Sequence, residues 1–452
     1  GDAGAGMLEE GPERERFEAE VEGLKVARLV QRGGDAARLQ QGPAERAGAQ
    51  EGALVKLAEV HRRQRAYREE AAVLEKVLAV RQRRFAARAP GEEAVADAMV
   101  DLGTAYRNAG EMATAVFRLR EALAIRLRAL ERRRGEGASV EGAIAAAAAP
   151  FNRAGNQCAQ QGRFREALDM YEGTLAIYGM SSDPDHVGAA LARSNIGSVY
   201  QQQSRVRESI VQHNEALGIL VRVLGPGSVR VADAKVSLGN AYQSQRSFEL
   251  ALEQYAEALA IYQAEAGPDA LGLADVRNNM GSAYAEQDMF ERAAEEFEAA
   301  LAIKLKSLGP QHISVGQTHS NMGAVYQSLG DFDRALERHT EALQIFLKEM
   351  GFDHISVAQT FANMGIVYAH KGQLEDAMTQ YHAALQIFTR KLGPHHPMVG
   401  KTQFNSALVL RQLGSKAEAK ELFKKASAIF AKVLGPLHEE TLKALDLAVS
   451  CY

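Results

Sequence analysis

The chain has 452 residues, of which 46% are hydrophobic, 24% are charged and only 11 are proline, a composition typical of a folded globular protein. Its net charge of −4 provides no general attraction to nucleic acids or anionic membranes, so we expect neither as a partner. Two cysteines, Cys158 and Cys451, are too few for a disulfide framework, which favours a cytoplasmic location. The longest apolar run, residues 143–151, is shorter than the roughly 20 residues of a membrane span.

Residues 1–50 predict an N-terminal helix followed by a flexible segment. One helix fits residues 12–31, and Gly33 and Gly34 interrupt any continuation. The acidic stretch from Glu9 to Glu22 is a candidate autoinhibitory contact for the basic first repeat.

Residues 51–134 predict two irregular helix-pair repeats, and the first is strongly basic. We call its arginines the basic patch, a candidate site for an acidic partner. The alternatives are a solvated helix surface and an RNA site, and the solvated surface is favoured because the only interleaved aromatic residues are Tyr67 and Phe85. The patch comprises Arg62, Arg63, Arg65, Arg68, Arg81, Arg83, Arg84 and Arg88.

Residues 135–150 interrupt the pattern and predict an insertion or linker. Glycines and a run of alanines precede Pro150, which is expected to start or kink the next helix. We therefore expect a bend or flexible seam at this point.

Residues 151–436 contain a phrase that recurs at a constant spacing, such as Asn-Met-Gly-Ser-Ala-Tyr at residues 279–284. Successive copies lie 42 residues apart, and weaker copies centred on Ala58 and Gly103 precede them, so we expect nine repeats. The small residue at the centre of the phrase is Gly155, Gly197, Gly239, Gly281, Gly323, Gly365 or Ala407.

Each unit predicts two helices, A and B, joined by a polar turn. Apolar residues in the second half repeat at spacings of three and four, which is one face of a helix. Glycine in the turn closes helix A, and a Leu-Gly-Pro linker separates successive repeats. Gly281 is expected where helix A approaches helix B closely, while Tyr284 and Phe290 fill the space between units.

This pattern resembles the tetratricopeptide repeat: a small residue is followed by an aromatic residue three positions later, by alanine twelve positions later and by leucine twenty positions later. The 42-residue unit with Leu-Gly-Pro linkers is similar to the arrays of kinesin light chains and nephrocystin-3-like proteins. The resemblance implies an all-α fold, an α-solenoid in which about nine helix-turn-helix repeats form a right-handed superhelix. Residues 437–452 then predict a C-terminal capping helix that packs through Leu442, Leu445, Val449 and Tyr452.

The sequence offers no motif for catalysis, so we predict that the chain is not an enzyme and needs no cofactor. Gly400-Lys401-Thr402 matches the end of a phosphate-binding loop, but His395 stands where that loop requires glycine. Cys158 takes an aromatic position of its repeat and is expected to be a buried small residue. Stacked repeats lie about 10 Å apart, too far to share one zinc ion, so packing at the helix start or helix capping is the expected role of His186, His312, His354, His396 and His438.

A polar residue lies two positions before the small residue in six repeats. We call this set the polar column: Asn195, Ser237, Asn279, Asn321, Asn363 and Asn405. The resemblance implies that helix A lines a concave groove, where amide groups suit an extended peptide backbone. The alternative is that these side chains satisfy neighbouring loops. The candidate peptide-binding groove also includes Ser198, Asn240, Gln201, Gln243, Gln327 and Arg411.

These patterns favour a non-catalytic scaffold or adaptor that binds an extended peptide or a partner helix. Two alternatives remain open: an architectural subunit of a large cytoskeletal or ciliary assembly, and a regulatory or sensory module of a larger protein. We expect a protein partner in each case, and a cytoplasmic location with cytoskeletal or ciliary association in the architectural case.

Overall fold

The computed structural model describes residues 43–85, 92–135, 141–181, 183, 185–267 and 270–450, and within these ranges the chain is all helical. The predicted N-terminal helix, the acidic stretch and Arg88 lie outside the described residues. Nineteen helices are seen: α1 (Pro43–Arg63), α2 (Tyr67–Phe85), α3 (Glu92–Asn108), α4 (Met112–Gly135), α5 (Glu141–Gln160), α6 (Phe164–Tyr178), α7 (Val187–Gln202), α8 (Val206–Leu224), α9 (Val229–Ser244), α10 (Phe248–Glu265), α11 (Leu271–Ala285), α12 (Phe290–Leu308), α13 (Ile313–Ser328), α14 (Phe332–Met350), α15 (Ile355–His370), α16 (Leu374–Leu392), α17 (Pro397–Gln412), α18 (Lys416–Val433) and α19 (Glu439–Ser450).

The helices form nine pairs and one final helix, as the repeat count predicts. The odd-numbered helices α1 to α17 are the A helices, and each packs most extensively on the B helix that follows it. The chain divides into two compact units, residues 1–225 with the first four pairs and residues 226–452 with the other five pairs and α19. Within each unit, B helices also pack on the next A helix, so the architecture is that of an α-solenoid.

The small residue of each repeat permits the close contact between its A and B helices, as predicted. A Cβ atom added to Gly365 would lie 2.6 Å from the Tyr381 ring, and one added to Gly239 would lie 2.5 Å from the Tyr255 ring. The ring comes from the residue sixteen positions after the small residue, which we call the ring position. Its occupants are Tyr171, His213, Tyr255, Phe297, His339, Tyr381 and Phe423.

The predicted helix caps are also confirmed. In each case, Nδ1 of the linker histidine accepts a hydrogen bond from the backbone N–H two residues later, as His312 does from Ser314 at 3.1 Å and His354 from Ser356 at 3.1 Å. His186, His396 and His438 make the same contact. These histidines therefore start helices, since they satisfy donors that the helix itself leaves unpaired.

The structure differs from the sequence at residues 141–150, which were expected to be a linker. They form the first half of α5, which continues through Pro150 to Gln160. Alanine has the highest helix propensity of any residue type, and the run of alanines outweighs the destabilisation of the helix by Pro150. Pro150 therefore does not begin the helix, and residues 141–150 belong to the third repeat.

The final helix α19 exists as predicted, but it packs through a different face. Thr441, Ala444 and Ala448 are its buried residues. The residues expected to pack are exposed, with fractions of 47% for Leu442, 44% for Leu445 and 64% for Val449, and Tyr452 lies outside the described residues. The 42-residue spacing gives the reason, because α19 corresponds to the A helix of a tenth repeat. Leu442 and Val449 lie 42 residues after Gly400 and Ala407, which face the B helix of the ninth repeat, so they occupy the face that an A helix turns toward its own B helix.

Candidate functional site

The polar column lies on the A helices at an intermediate depth. All six of its side chains are half-buried, so each reaches both the neighbouring helices and the surface. Arginine or lysine lies two positions before the column residue in three repeats, and each of these cations pairs with its own B helix. The pairs are Arg193–Glu215, Lys235–Glu257 and Arg277–Glu296. Because these charges are neutralised, the column is a mainly neutral surface.

In the first unit, the column contributes to the contact between successive A helices. Asn195 Nδ2 donates to the Oδ1 atoms of Asn152 and Asn156 on α5, each at 3.1 Å. Tyr171 at the ring position donates from its hydroxyl to Asn156 Oδ1 at 2.7 Å. The amides thus connect helices α5, α6 and α7, and both amide hydrogens of Asn195 are used within the protein.

The second unit repeats this arrangement in its first three repeats. Asn279 Nδ2 donates to Asn240 Oδ1 at 3.1 Å, and Asn321 Nδ2 donates to Asn278 Oδ1 at 3.4 Å. Tyr255 completes the network, with its hydroxyl 2.6 Å from Asn240 Oδ1. The partners are amides of the preceding A helix rather than the loops that the sequence offered as an alternative.

The last two members of the column are free of such contacts. Asn363 Oδ1 accepts from Gln359 Nε2 of its own helix at 2.9 Å, and no described residue accepts from Asn363 Nδ2. Asn405 makes no side-chain hydrogen bond with any described residue, although it is half-buried. Ser237 donates to the Asp233 carbonyl at 3.0 Å within its own helix. Unused amide groups are therefore concentrated at Asn363 and Asn405, in the eighth and ninth repeats.

The other candidate groove residues fall into the same two classes. Ser198 donates to the Ser194 carbonyl at 3.1 Å, while Gln243 joins the network by accepting from the Tyr255 hydroxyl at 2.9 Å. Gln201 and Gln327 are half-buried. Arg411 is exposed and forms no ion pair in the described part of the chain, so it offers a cation on the same helix as Asn405.

The basic patch is largely paired within the protein. Arg62 Nε lies 2.6 Å from Oε1 of the buried Glu70, and Glu51 receives both Arg81 at 2.8 Å and Arg84 at 3.2 Å. Arg63 and Arg68 pair with Glu59 and Glu111. Arg65 and Arg83 are exposed. Most of the patch thus stabilises the contacts of the first repeats, which supports the solvated-surface alternative.

Three further observations concern chemistry. Cys158 is buried, with its Sγ 3.7 Å from Met112 Sδ, and burial raises the pKa of its thiol, which disfavours the reactive thiolate. Among the described residues, no group of three histidine, cysteine or acidic side chains is placed to bind a metal ion. Nor is any described helix both long and apolar enough to cross a bilayer.

Two features of the site were not predicted from the sequence. The bonds between successive A helices join residues 39 or 43 positions apart, such as Asn195 with Asn156 and Asn152, and the constant spacing of the repeat is a signal that could have indicated these pairs. The second is a cavity beside Leu410 in the ninth repeat, where six other repeats have tyrosine, and comparison between repeats could have found this departure.

Comparison with known families gives one clear result. A tetratricopeptide repeat model matches residues 146–220, 230–306, 293–348 and 356–432, which is more than half of the chain. A second tetratricopeptide repeat model matches residues 95–133. Comparison with curated proteins gives no significant match.

Solved structures show similar helical repeats. BtubC (BKLC) from P. vanneervenii is 24% identical with a TM-score of 0.42, covering 58% of this chain and 93% of that chain. The putative kinesin light chain of P. anserina is 23% identical with a TM-score of 0.40, covering 46% and 97%. A Rap protein complexed with Competence and Sporulation Factor is 14% identical with a TM-score of 0.48, covering 87% and 99%. At these identities the likeness concerns the fold alone.

Proposed function

Because the chain belongs to the tetratricopeptide repeat family, we propose that it is a non-catalytic scaffold or adaptor that binds an extended peptide of a partner protein along the polar column. The observation that supports this most directly is that no described residue accepts a hydrogen bond from the amide N–H groups of Asn363 and Asn405. Elsewhere in the column the amides already hold neighbouring helices together, so this pair marks the part of the surface that is available to a ligand.

The spacing of these two residues suits an extended chain. Successive A helices pack about 10 Å apart, and an extended peptide advances about 3.3 Å per residue. Asn363 and Asn405 would therefore meet peptide groups about three residues apart. Both side chains supply amide N–H donors, and Asn405 also supplies an acceptor that no described residue uses; these are the groups that an unpaired peptide backbone needs. The exposed Arg411 adds a preference for a carboxylate on the peptide.

This proposal is tested by selecting binders from a displayed library of random twelve-residue peptides. Peptides selected on the wild-type chain should lose at least tenfold in affinity for the Asn363→Ala, Asn405→Ala double variant. Thr379→Ala is the matched control, since Thr379 is an exposed polar residue of the B helix α16. Equal affinity for all three proteins would overturn the proposed site.

An architectural role is the second candidate, and the apolar stripe on α19 favours it. Leu442, Leu445 and Val449 are between 44% and 64% exposed, and they face the position where a further B helix would pack. A permanent partner in a cytoskeletal or ciliary assembly would cover such a stripe. If Leu445→Lys releases a co-purifying subunit while peptide binding is unchanged, the architectural role is favoured.

A further inference from the structure

One crevice between successive B helices is filled in most repeats by a tyrosine. The third residue after the small residue is tyrosine in five regular repeats: Tyr200, Tyr242, Tyr284, Tyr326 and Tyr368. Tyr326 donates from its hydroxyl to Glu298 Oε1 on the preceding B helix at 2.6 Å, and Tyr106 of the second repeat donates likewise to Glu75 at 2.6 Å. The ring fills the crevice, and the hydrogen bond joins its hydroxyl to the preceding B helix.

The ninth repeat lacks both parts of this contact. Leu410 stands where the tyrosine would be, and His382 stands where Tyr326 finds its carboxylate partner. Without the ring, a cavity of about 520 Å³ opens between α16, α17 and α18. Its apolar lining consists of Met378, Leu385, Leu410, Ala417 and Leu422.

The rim of this cavity carries two charged side chains that have no ion-pair partner in the described part of the chain. Glu418 and Lys425 both lie on α18 and are exposed, and neither forms an ion pair with a described residue. They are seven residues apart, which corresponds to roughly 10 Å along the helix. His382 is exposed on the opposite wall. The cavity is therefore an apolar recess with Glu418 at one end and Lys425 at the other. Glu421 lies between them and also lines the cavity, but its charge is paired with Lys424 at 3.0 Å.

We propose that this cavity binds a tyrosine side chain from a partner protein segment that also carries a basic residue opposite Glu418 and an acidic residue opposite Lys425. The tyrosine takes the place of the ring that Leu410 does not supply, and its hydroxyl donates to His382 as Tyr326 donates to Glu298. The volume lies within the range of about 300 to 1,000 Å³ that is usual for ligand pockets.

This surface is separate from the polar column. Met378, Leu385 and Leu422 belong to B helices. Ser406 and Leu410 belong to α17, the A helix that carries Asn405, but no residue of the column lines the cavity. The two sites can therefore be tested independently, and failure of one leaves the other unaffected. The complementary charges fix the direction of the bound segment, since reversal would place like charges together at both ends.

The probe is the peptide acetyl-Lys-Tyr-Ala-Glu-amide, whose two charged residues lie about 10 Å apart in an extended chain, titrated into the chain labelled with ¹³C at its methionine methyl groups. Met378 is assigned with the Met378→Ile variant. We expect a shift of the Met378 resonance that saturates with a Kd on the order of 1 mM, and a Kd at least fivefold weaker when tyrosine is replaced by alanine or the two charges are exchanged. No shift, or equal shifts with all three peptides, would overturn the proposal.

Two variants of the protein complete the test. Leu410→Tyr restores the ring found in six other repeats and should abolish the shift, whereas Asn405→Ala on the polar column should leave it unchanged. Should Leu410→Tyr fail to fold, Leu422→Gln decides, because it introduces the residue present at the matching position of the eighth repeat and should weaken binding at least threefold. Peptide binding that persists in a folded Leu410→Tyr or Leu422→Gln variant refutes the proposed binding site.

A larger Met378 shift with p-cresol than with the peptide would overturn the partner segment in favour of a small aromatic ligand.

Discussion

Replacing His339 with phenylalanine should remove part of the sensitivity of the protein to acid. His339 occupies the ring position of the seventh repeat, is 0% exposed, and has neither ring nitrogen hydrogen-bonded among the described residues. Burial lowers the pKa of His339 from 6.5 to about 4. Phenylalanine is compatible with the site, since Phe297 takes the same position against Gly281 in the sixth repeat.

The sign of the effect follows from proton binding. Between pH 6.5 and about 4 the unfolded chain binds a proton at His339 and the folded chain does not. The free energy of unfolding therefore falls as the pH falls through this window, by about 1.4 kcal/mol per pH unit. From pH 7 to pH 5 the loss from this histidine is about 2 kcal/mol, and it reaches about 3 kcal/mol near pH 4.

The assay is urea denaturation of the wild type and His339→Phe, followed by circular dichroism at pH 7 and pH 5. The advantage of the variant in free energy of unfolding should be about 2 kcal/mol larger at pH 5, because carboxylates and other histidines titrate equally in both proteins. A constant difference between the two proteins would refute the reasoning, since it would mean that buried His339 accepts a proton without cost.

Two further predictions concern the helix pairs. Gly365→Ala should lower the free energy of unfolding by about 1 to 3 kcal/mol, because its Cβ would lie 2.6 Å from the Tyr381 ring. Gly281→Ala should be nearly neutral, because its Cβ would lie 3.0 Å from the nearest ring atoms of Phe297. Thermal denaturation that ranks the two variants in the opposite order would contradict this prediction. Ser204 and Gly330 occupy the same turn position in different repeats, and both have a positive φ, of 60° and 78°, which glycine adopts more easily than other residues. Ser204→Gly should therefore raise the free energy of unfolding measured in urea by about 1 kcal/mol, and Gly330→Ala should lower it.

The periodicity of the sequence determined the repeat, the helix pairs and the role of the small residues. A spacing of 42 residues repeated six times leaves little freedom, because each helix must present its apolar face to the next helix in the stack. The histidine caps were likewise predictable, since a cap depends only on the first turn of its own helix. Local signals and constant spacing were sufficient for these features.

Contacts between repeats required the tertiary structure. The sequence identified the polar column but not that Asn195, Asn279 and Asn321 bond to the preceding A helix while Asn363 and Asn405 do not. The same asparagine forms a bond in one repeat and not in another because the residue opposite it on the preceding A helix is an asparagine only in some repeats.

The same reason explains the error at α19 and the cavity beside Leu410. A helical apolar pattern shows that Leu442, Leu445 and Val449 share a face, but whether that face is covered depends on the presence of another helix. The cavity forms because Leu410 fills less volume than the tyrosine of other repeats, against walls supplied by residues distant in sequence. The sequence by itself determined the repeating unit, whereas packing between units decided which surfaces remain available to a partner.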